Sequence, residues 1–213
     1  MRRAQIALLT VFAAACAWLG PASASVPSVP NSTFPTCLAA CPLGDIAFDV
    51  IVRDLANNAL AGAFVVLDFS QCPGAFICNG LVTDPYTTDL AARKVLRNTD
   101  ATGKAHFPLR VGGTCGPATV SLFANGVLFT RYALASPDQN GNGMTSNLFD
   151  PNDDALFAAK LGTADPTADF DCDGGLVDTD DQAIFNLHGA HACEGYVDPT
   201  VRQSWGSLKS HYH

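Results

Sequence analysis

The chain has few charged side chains, 15% of its 213 residues, and almost no positive charge in its last third. Residues 138–198 contain thirteen Asp and Glu but a single Lys or Arg, which is Lys160. Nucleic-acid binding requires clustered Lys and Arg to contact phosphates, so this region excludes nucleic acid as a partner. The acidic side chains also repel one another, and we expect a cation to neutralise them in the folded protein.

Two common hydrolase motifs are missing. The sequence has no Gly-x-Ser-x-Gly segment, which carries the nucleophile of many serine hydrolases, and no His-Glu-x-x-His segment, which binds catalytic zinc. A glycosidase pair of carboxylates stays open, because such pairs meet only in the fold. With no positive indication of catalysis, we predict that the protein is not an enzyme.

Long apolar runs are absent after the first 24 residues, since no later run reaches the roughly 18 residues that a membrane span needs. The one early run, residues 6–19, follows Arg2 and Arg3 and precedes Ala22-Ser23-Ala24. This order is typical of a secretory signal peptide. We therefore predict that residues 1–24 are removed and that the mature protein, without a transmembrane segment, is secreted or held at the cell surface.

Seven cysteines follow the predicted signal peptide: Cys37, Cys41, Cys72, Cys78, Cys115, Cys172 and Cys193. An exported chain meets an oxidising environment, so we interpret them as disulfide partners. Their odd number leaves one unpaired, or paired with another molecule. Cys37 and Cys41 have the close spacing found in zinc sites, but no second Cys or His pair lies near them in sequence, which favours disulfides.

Residues 37–135, which follow a Pro- and Ser-rich lead at 25–36, have the pattern of a mainly β domain. Ile46, Phe48, Val50 and Val52 alternate with other residues and so share one face of a strand. Further strands are predicted at 63–69, 93–98, 104–110, 119–124 and 127–133. Asn125-Gly126 suits a tight hairpin turn. Short strands separated by turns predict an antiparallel β-sandwich.

Three segments of this domain carry a family resemblance: residues 46–53, Gly62-Ala63 and residues 99–107. They resemble the Ig-like or carboxypeptidase-regulatory-like β-sandwiches of bacterial surface proteins. The resemblance implies a spacer or binding scaffold without an active site.

The acidic third contains an internal repeat, because residues 149–157 align with residues 177–185 at a constant offset of 28. Asp150 then corresponds to Asp178, and Asp153 to Asp181. Each copy follows a loop with oxygen-bearing side chains at its first, third and fifth positions and Gly at the sixth. These residues are Asp138, Asn140, Asn142 and Gly143 in the first loop, and Asp169, Asp171, Asp173 and Gly174 in the second.

The loop pattern is the one that calcium requires, since Ca²⁺ takes about six to eight oxygen ligands and the sixth-position Gly lets the loop bend around it. The helix that follows supplies a last carboxylate, for which the repeat indicates Asp153 and Asp181, while loop counting in the second copy indicates Asp180. The second loop has more carboxylates and should bind more strongly. The candidate ligands are Asp138, Asn140, Asn142, Asp150, Asp153, Asp169, Asp171, Asp173, Asp178, Asp180 and Asp181.

The doubled loop and helix, taken as residues 136–193, resembles the type I dockerin family. The resemblance implies two EF-hand-like calcium loops, two main helices packed with approximate two-fold symmetry, and recognition of a cohesin-like extracellular protein. Where the family reads its partner, often through a Ser/Thr pair, this chain has Pro151-Asn152 and Thr179-Asp180. We further predict that Cys172 bridges Cys193, and that residues 194–213 form a tail.

These features predict an exported, non-catalytic calcium-binding protein that serves attachment or extracellular assembly, with a cohesin-like protein, another extracellular protein or itself as partner. One alternative is a carbohydrate-binding accessory module of a secreted polysaccharide-degrading system. Another is a self-assembling surface-layer or fibre subunit linked through the odd cysteine. A disordered acidic tail is disfavoured by the repeat and its interleaved Leu and Phe.

A second kind of metal site is an open alternative near the C-terminus. His188 and His191, or His211 and His213, have spacings at which two imidazoles can bind a transition metal. His at the end of a helix is also ordinary, because it interacts favourably with the helix dipole. We therefore predict calcium as the bound metal.

Overall fold

The computed structural model describes residues 26–78, 87–141, 150–189 and 191. The predicted signal peptide and tail, Asn142 and Cys193 lie outside these ranges. The described residues form nine strands, two α-helices and a short 3₁₀ helix, Val29–Asn31. The strands are β1 Ala47–Ile51, β2 Phe64–Asp68, β3 Phe76–Ile77, β4 Thr87–Asp89, β5 Lys94–Asn98, β6 Lys104–Pro108, β7 Val111–Gly112, β8 Cys115–Ala124 and β9 Val127–Leu134, and the helices are α1 Pro151–Ala158 and α2 Thr179–His188.

All strands pair antiparallel, in one five-stranded sheet and two two-stranded sheets. The large sheet has the order β4-β5-β2-β8-β9, and the small sheets are β1-β6 and β3-β7. The prediction of a mainly β, antiparallel fold is confirmed. Its finer assignment to an Ig-like sandwich stays a prediction.

The alternation expected in β1 decides which side chains enter the core. Phe48 and Val50 are buried, while Asp49 on the opposite face contacts Lys104 Nζ at 2.8 Å and His106 Nδ1 at 2.6 Å. This is the period-two arrangement of a strand with one solvated face. The predicted hairpin turn is also present between β8 and β9, where Asn125 and its following Gly both have positive φ.

The β region, residues 26–135, surrounds one apolar core. Side chains from different sheets meet in it, including Phe48, Leu67, Phe107 and Leu122. Each fully buried side chain of this size contributes about 1.5–3 kcal/mol, so this cluster dominates the stability of the β region.

The acidic region, residues 136–191, has a much smaller core. Phe157 of α1 stacks on Phe185 of α2 with ring centroids 4.2 Å apart and an interplanar angle of 9°. Phe170 packs beside them. Ala39 and Ala135 belong to the same cluster, so the two helices bury their aromatic side chains against the β region.

The disulfides correct one prediction. Cys172 bonds to Cys37, not to Cys193 as predicted. The reason is tertiary, because the second acidic loop lies against the segment that precedes the β strands, where Thr36 Oγ1 donates to the Cys172 carbonyl at 3.2 Å. A second disulfide joins Cys72 to Cys115.

The predicted unpaired cysteine is also present, because Cys41 is free and buried. The two disulfides agree with an oxidising environment. Among the described residues, no helix is both long enough and apolar enough to cross a membrane.

Candidate metal site in the acidic region

Three carboxylates converge in the second loop, residues 169–178. Asp169, Asp171 and Asp173 each offer an oxygen, and these atoms lie within 4.8 Å of one another. The loop reaches this shape because Cys172 and Gly174 have positive φ values of 64° and 73°. Gly takes such a value without strain, while the Cys172–Cys37 disulfide holds the less favourable residue in place.

Asp169 is the most buried of the three, at 8% exposed. Its Oδ2 accepts a hydrogen bond from the Gly174 N–H at 3.2 Å. Its Oδ1 is buried and has no hydrogen-bond partner among the described residues. A buried carboxylate oxygen without a partner costs free energy, and a cation bound at this oxygen would remove that cost.

Asp181 ties the loop to the start of α2. Its Oδ1 accepts from the N–H groups of Phe170 at 2.6 Å and Asp171 at 3.3 Å, and its Oδ2 accepts from the Asp178 N–H at 3.0 Å. Asp178 in turn caps the helix by accepting from the Asp180 N–H at 2.8 Å. The loop and the helix therefore form one hydrogen-bonded unit.

The described part of the first loop, residues 138–141 and Asp150, has a similar hydrogen-bond arrangement with the start of α1. Asp153 Oδ1 accepts from the Asn140 N–H and Oδ2 from the Asp150 N–H, both at 3.1 Å. Asp150 caps α1 as Asp178 caps α2, and Asp138 Oδ1 accepts from the Gly141 N–H at 2.9 Å. The sequence repeat thus corresponds to a repeat of local structure.

Burial raises the pKa of one buried carboxyl in each loop-helix unit. Burial raises the pKa of Asp169, with the nearby charges of Asp181 and Asp171 adding to the effect. Burial likewise raises the pKa of Asp153, and Asp150 adds to it. Both shifts mean that the ionised form is disfavoured where these carboxyls lie. A bound cation would reverse this balance.

Lys160, the only Lys or Arg of residues 138–198, lies between the two loops. Its Nζ donates to Gln139 Oε1 at 2.5 Å and to Thr167 Oγ1 at 2.6 Å, and it is 3.8 Å from Asp165 Oδ2. Burial lowers the pKa of Lys160, which the charge of Asp165 partly offsets. The single cationic side chain of the region is therefore engaged with Gln139, Thr167 and Asp165.

The predicted ligands occupy different places. Asp169, Asp171 and Asp173 form the converging group, while Asp138, Asn140, Asp150, Asp153, Asp178 and Asp181 hydrogen-bond within the two loop-helix units. Asp180 is exposed in the first turn of α2. Of the two alternatives for the last carboxylate, Asp181 is the one that reaches the loop.

The donor set of the second loop fits calcium chemically. Ionised carboxylates offer only oxygen acceptors, which hard cations prefer. The partnerless Oδ1 of Asp169 supplies a coordination position that no hydrogen bond among the described residues uses. The residues present therefore suit a hard divalent cation such as Ca²⁺, which the carboxylates of Asp169, Asp171 and Asp173 would hold.

The structure also assembles a group that sequence spacing did not indicate. Cys41 and Asp45 lie beside His188 and His191. The spacing of His188 and His191 in the sequence indicates only a pair of imidazoles, and no pattern indicates Asp45 as a third ligand. Cys41 and His191 are 150 positions apart, so no local pattern connects them.

Comparison with protein-family models, with curated proteins and with solved structures finds no match for this chain.

Proposed function

We propose that the acidic region binds calcium through its second loop. Asp169, Asp171 and Asp173 supply carboxylate oxygens, and Asp181 holds the loop in the binding conformation through its backbone hydrogen bonds. Because the ion neutralises a group of like charges, its binding free energy adds to the stability of the region. Calcium is then a structural element of a small domain that has a limited apolar core.

The observation that carries this proposal is the buried Oδ1 of Asp169. It has no hydrogen-bond partner among the described residues, and its carboxylate belongs to a group of three that lie within 4.8 Å of one another. Buried polar atoms are almost always paired. A cation is the partner that suits an oxygen surrounded by further carboxylates.

The first loop is the weaker site in this proposal. Asp138 and Asp153 are buried there, but Asn140 replaces a carboxylate with an uncharged amide. Fewer charged ligands lower the affinity of a calcium loop. We expect the second loop to fill first.

The wider role that we propose is extracellular attachment or assembly by a non-catalytic, exported protein. The disulfides Cys37–Cys172 and Cys72–Cys115 support an oxidising environment. The surface positions that the dockerin resemblance assigns to partner recognition, 151–152 and 179–180, are all exposed. A cohesin-like or other extracellular protein, or a second copy, would contact this surface.

One argument for the alternative of a self-assembling surface-layer or fibre subunit no longer holds. It needed the odd cysteine for a link between chains, whereas the free Cys41 is 0% exposed. A buried thiol is not placed to bond to a second molecule.

Calcium titration by calorimetry, combined with thermal melts, tests the calcium site. The wild-type melting temperature should rise with calcium up to millimolar concentrations, because extracellular calcium modules bind at about 10⁻⁴–10⁻³ M. The double variant Asp169→Ala/Asp173→Ala should lose the strong site and most of this rise.

The matched control is Asp89→Ala/Asp154→Ala, which removes two exposed acids that are not candidate ligands. It changes net charge by the same amount and should keep the calcium response. Two results would show that the second loop is not a calcium site. One is a wild-type melting temperature that does not change with calcium, and the other is an equal calcium response in both double variants.

A further inference from the structure

Four potential metal ligands from two distant parts of the chain converge at the boundary between the β region and the acidic region. Cys41 and Asp45 precede β1, while His188 ends α2 and His191 follows it. One donor atom from each residue lies within 4.8 Å of all the others. Both His rings use Nδ1 for this approach, so the two imidazoles point at a common place.

The distances of His191 Nδ1 from His188 Nδ1 and from Cys41 Sγ are those of a tetrahedral zinc site. Zn–N and Zn–S bonds of about 2.0–2.1 and 2.3 Å give tetrahedral edges of about 3.3 Å for N···N and about 3.6 Å for S···N. In the structure, His188 Nδ1 lies 3.3 Å from His191 Nδ1, and Cys41 Sγ lies 3.6 Å from His191 Nδ1. Asp45 Oδ2 lies 3.0 and 3.2 Å from the same two nitrogens. Cys41 Sγ also donates a hydrogen bond to Asp45 Oδ1 at 2.5 Å, which is shorter than an edge of such a site, so this contact would lengthen when the ion replaces the thiol proton.

The turn before β1 holds one half of the group. The Gly44 N–H donates to the Cys41 carbonyl at 3.0 Å, and Gly44 has a φ of 79°. A Cβ at this position would lie 2.9 Å from the Pro108 carbonyl oxygen, so the close turn requires Gly. Arg110 Nε donates to a carbonyl of the turn at 3.2 Å. Cys41 and Asp45 are therefore brought together by the backbone.

The end of α2 holds the other half. The Gly189 N–H donates to the Phe185 carbonyl at 2.8 Å, and the His191 N–H donates to the His188 carbonyl at 3.0 Å. The second of these hydrogen bonds holds His191 on the same side of the helix end as His188. The two rings lie 5.0 Å apart, at 78° to each other. Ligands placed by backbone hydrogen bonds in this way need little rearrangement to bind a metal.

The donor types select the metal. One sulfur, two imidazole nitrogens and one carboxylate suit zinc and similar divalent transition metals, whereas calcium prefers oxygen alone. Cys41 is buried, His188 and His191 are partly buried, and Asp45 is exposed. The group is thus closed on the protein side, and the exposed Asp45 leaves a path for the ion to enter from solvent.

We propose that Cys41, Asp45, His188 and His191 form a structural site for Zn²⁺ or a similar divalent transition metal. The ion joins the end of the acidic repeat to the turn before β1, at a second point besides the Cys37–Cys172 disulfide. The site uses the one free cysteine among the described residues. It is separate from the calcium loops and does not depend on them.

Cobalt titration of the full chain, with its disulfides intact and calcium present, tests this site. Co²⁺ bound in place of zinc should give tetrahedral d–d absorption and a thiolate-to-cobalt charge-transfer band at one ion per chain, and zinc should displace it. Cys41→Ser should abolish the thiolate band. His188→Gln and His191→Gln should each weaken binding by more than about tenfold, since even residues around a ligand shell change metal affinity about 10–100-fold.

The matched control is His106→Gln, which removes an imidazole that contacts Asp49 on the solvated face of the β region. It should leave the cobalt spectrum unchanged. Asp45→Asn, which keeps the size of the side chain, serves if Cys41→Ser fails to fold, and should weaken binding by more than about tenfold.

Absence of a thiolate band in the wild type, or its survival in Cys41→Ser, would overturn the proposal, as would unchanged affinity in both His188→Gln and His191→Gln. The calcium-loop variant Asp169→Ala/Asp173→Ala should retain the thiolate band. The two metal sites can therefore fail independently.

Discussion

The β region and the acidic region bury different kinds of side chain. The core of the β region is a large apolar cluster, whereas the acidic region has a small cluster with three Phe rings and also buries several carboxylates. Asp138, Asp153, Asp169 and Asp181 are all buried in the acidic region. The hydrophobic effect stabilises the first core, which also contains the Cys72–Cys115 disulfide. Burying carboxylates, in contrast, costs free energy unless hydrogen bonds or cations compensate.

Compensation takes three forms in the acidic region. Backbone N–H groups bind Asp153 and Asp181, a disulfide attaches Cys172 to the segment before β1, and metal ions are proposed at two places. The comparison indicates that the acidic region depends on its attachments, while the β region does not. Four predictions test this difference.

The largest effect is expected from emptying the small aromatic core. Phe185→Ala should cost about 3–5 kcal/mol, because it leaves a cavity against Phe157. Leu187→Ala on the same helix is the control, since Leu187 is 69% exposed, and it should change little. Hydrogen exchange resolved by segment should show loss of protection in α1 and α2 with the β region intact. Equal loss in both regions would mean that the chain unfolds as one unit.

The Cys37–Cys172 disulfide is the next largest contribution. The double variant Cys37→Ser/Cys172→Ser should cost about 2–5 kcal/mol, as removal of a native disulfide from a small secreted domain does, and the loss should concentrate in the second loop. Denaturant unfolding with and without millimolar calcium measures it. If calcium stabilises the variant as strongly as the wild type, the disulfide does not shape the calcium loop.

Asp181 and its neighbour Asp180 allow a comparison of a buried, hydrogen-bonded carboxylate with an exposed one. Asp181→Asn should cost about 1–3 kcal/mol, because Asp181 is 1% exposed and an amide cannot accept all of the three N–H groups that it binds. Asp180→Asn should have a small effect. Thermal melts and calcium affinity of the two variants give the comparison. A stronger effect of Asp180→Asn would favour the other alignment of the second loop.

Acidification of calcium-free protein should change the stability of the two regions in opposite directions. These are the smallest effects among the four predictions. Burial raises the pKa values of Asp153 and Asp169 above 3.8. Their contribution to stability is complete below that value and lost as pH rises through the raised pKa. Acidification from about pH 6 to pH 4 should therefore stabilise the acidic region.

The carboxylates of the β region have the reverse sign. Burial acts to raise the pKa values of Asp49 and Asp68, but hydrogen bonds, from Lys104 to Asp49 and from Ser70 to Asp68, outweigh it and the net pKa is lowered. Their contribution is present above 3.8 and is lost only below it. Amide hydrogen exchange, resolved by segment and measured in the presence of a calcium chelator, compares the two regions. The rates are corrected for the intrinsic pH dependence of exchange. Loss of acidic-region protection between pH 6 and pH 4 would contradict the prediction.

Much of the secondary structure could be predicted because it has a local cause. Alternating apolar residues produced β1, and Asn125-Gly126 produced the hairpin between β8 and β9. The repeat at offset 28 located α1 and α2, since each copy has an Asp that caps its helix and a Phe that is buried. Strands β3, β4 and β7 were not predicted, because two or three residues are too few to show a period.

The acidic site could likewise be predicted because its residues are close in sequence, whereas contacts between distant residues could not. Asp169, Asp171 and Asp173 are close in sequence, so the spacing that calcium requires is visible in the chain, and the structure brings them together. The Cys37–Cys172 bond joins residues 135 positions apart, and the predicted Cys172–Cys193 bond was wrong because it assumed a local partner. Cysteine spacing carries no information about such a distant contact.

Local patterns were thus sufficient for the longer strands, the two capped helices and the second acidic loop, because each depends on neighbouring residues. Packing of the Phe157–Phe185 stack against Ala39 and Ala135 was decided by the tertiary structure alone. That packing sets the end of α2 beside the turn before β1 and so assembles Cys41, Asp45, His188 and His191. Their meeting depends on how two regions bury their apolar faces against each other, and no short segment of the sequence specifies that.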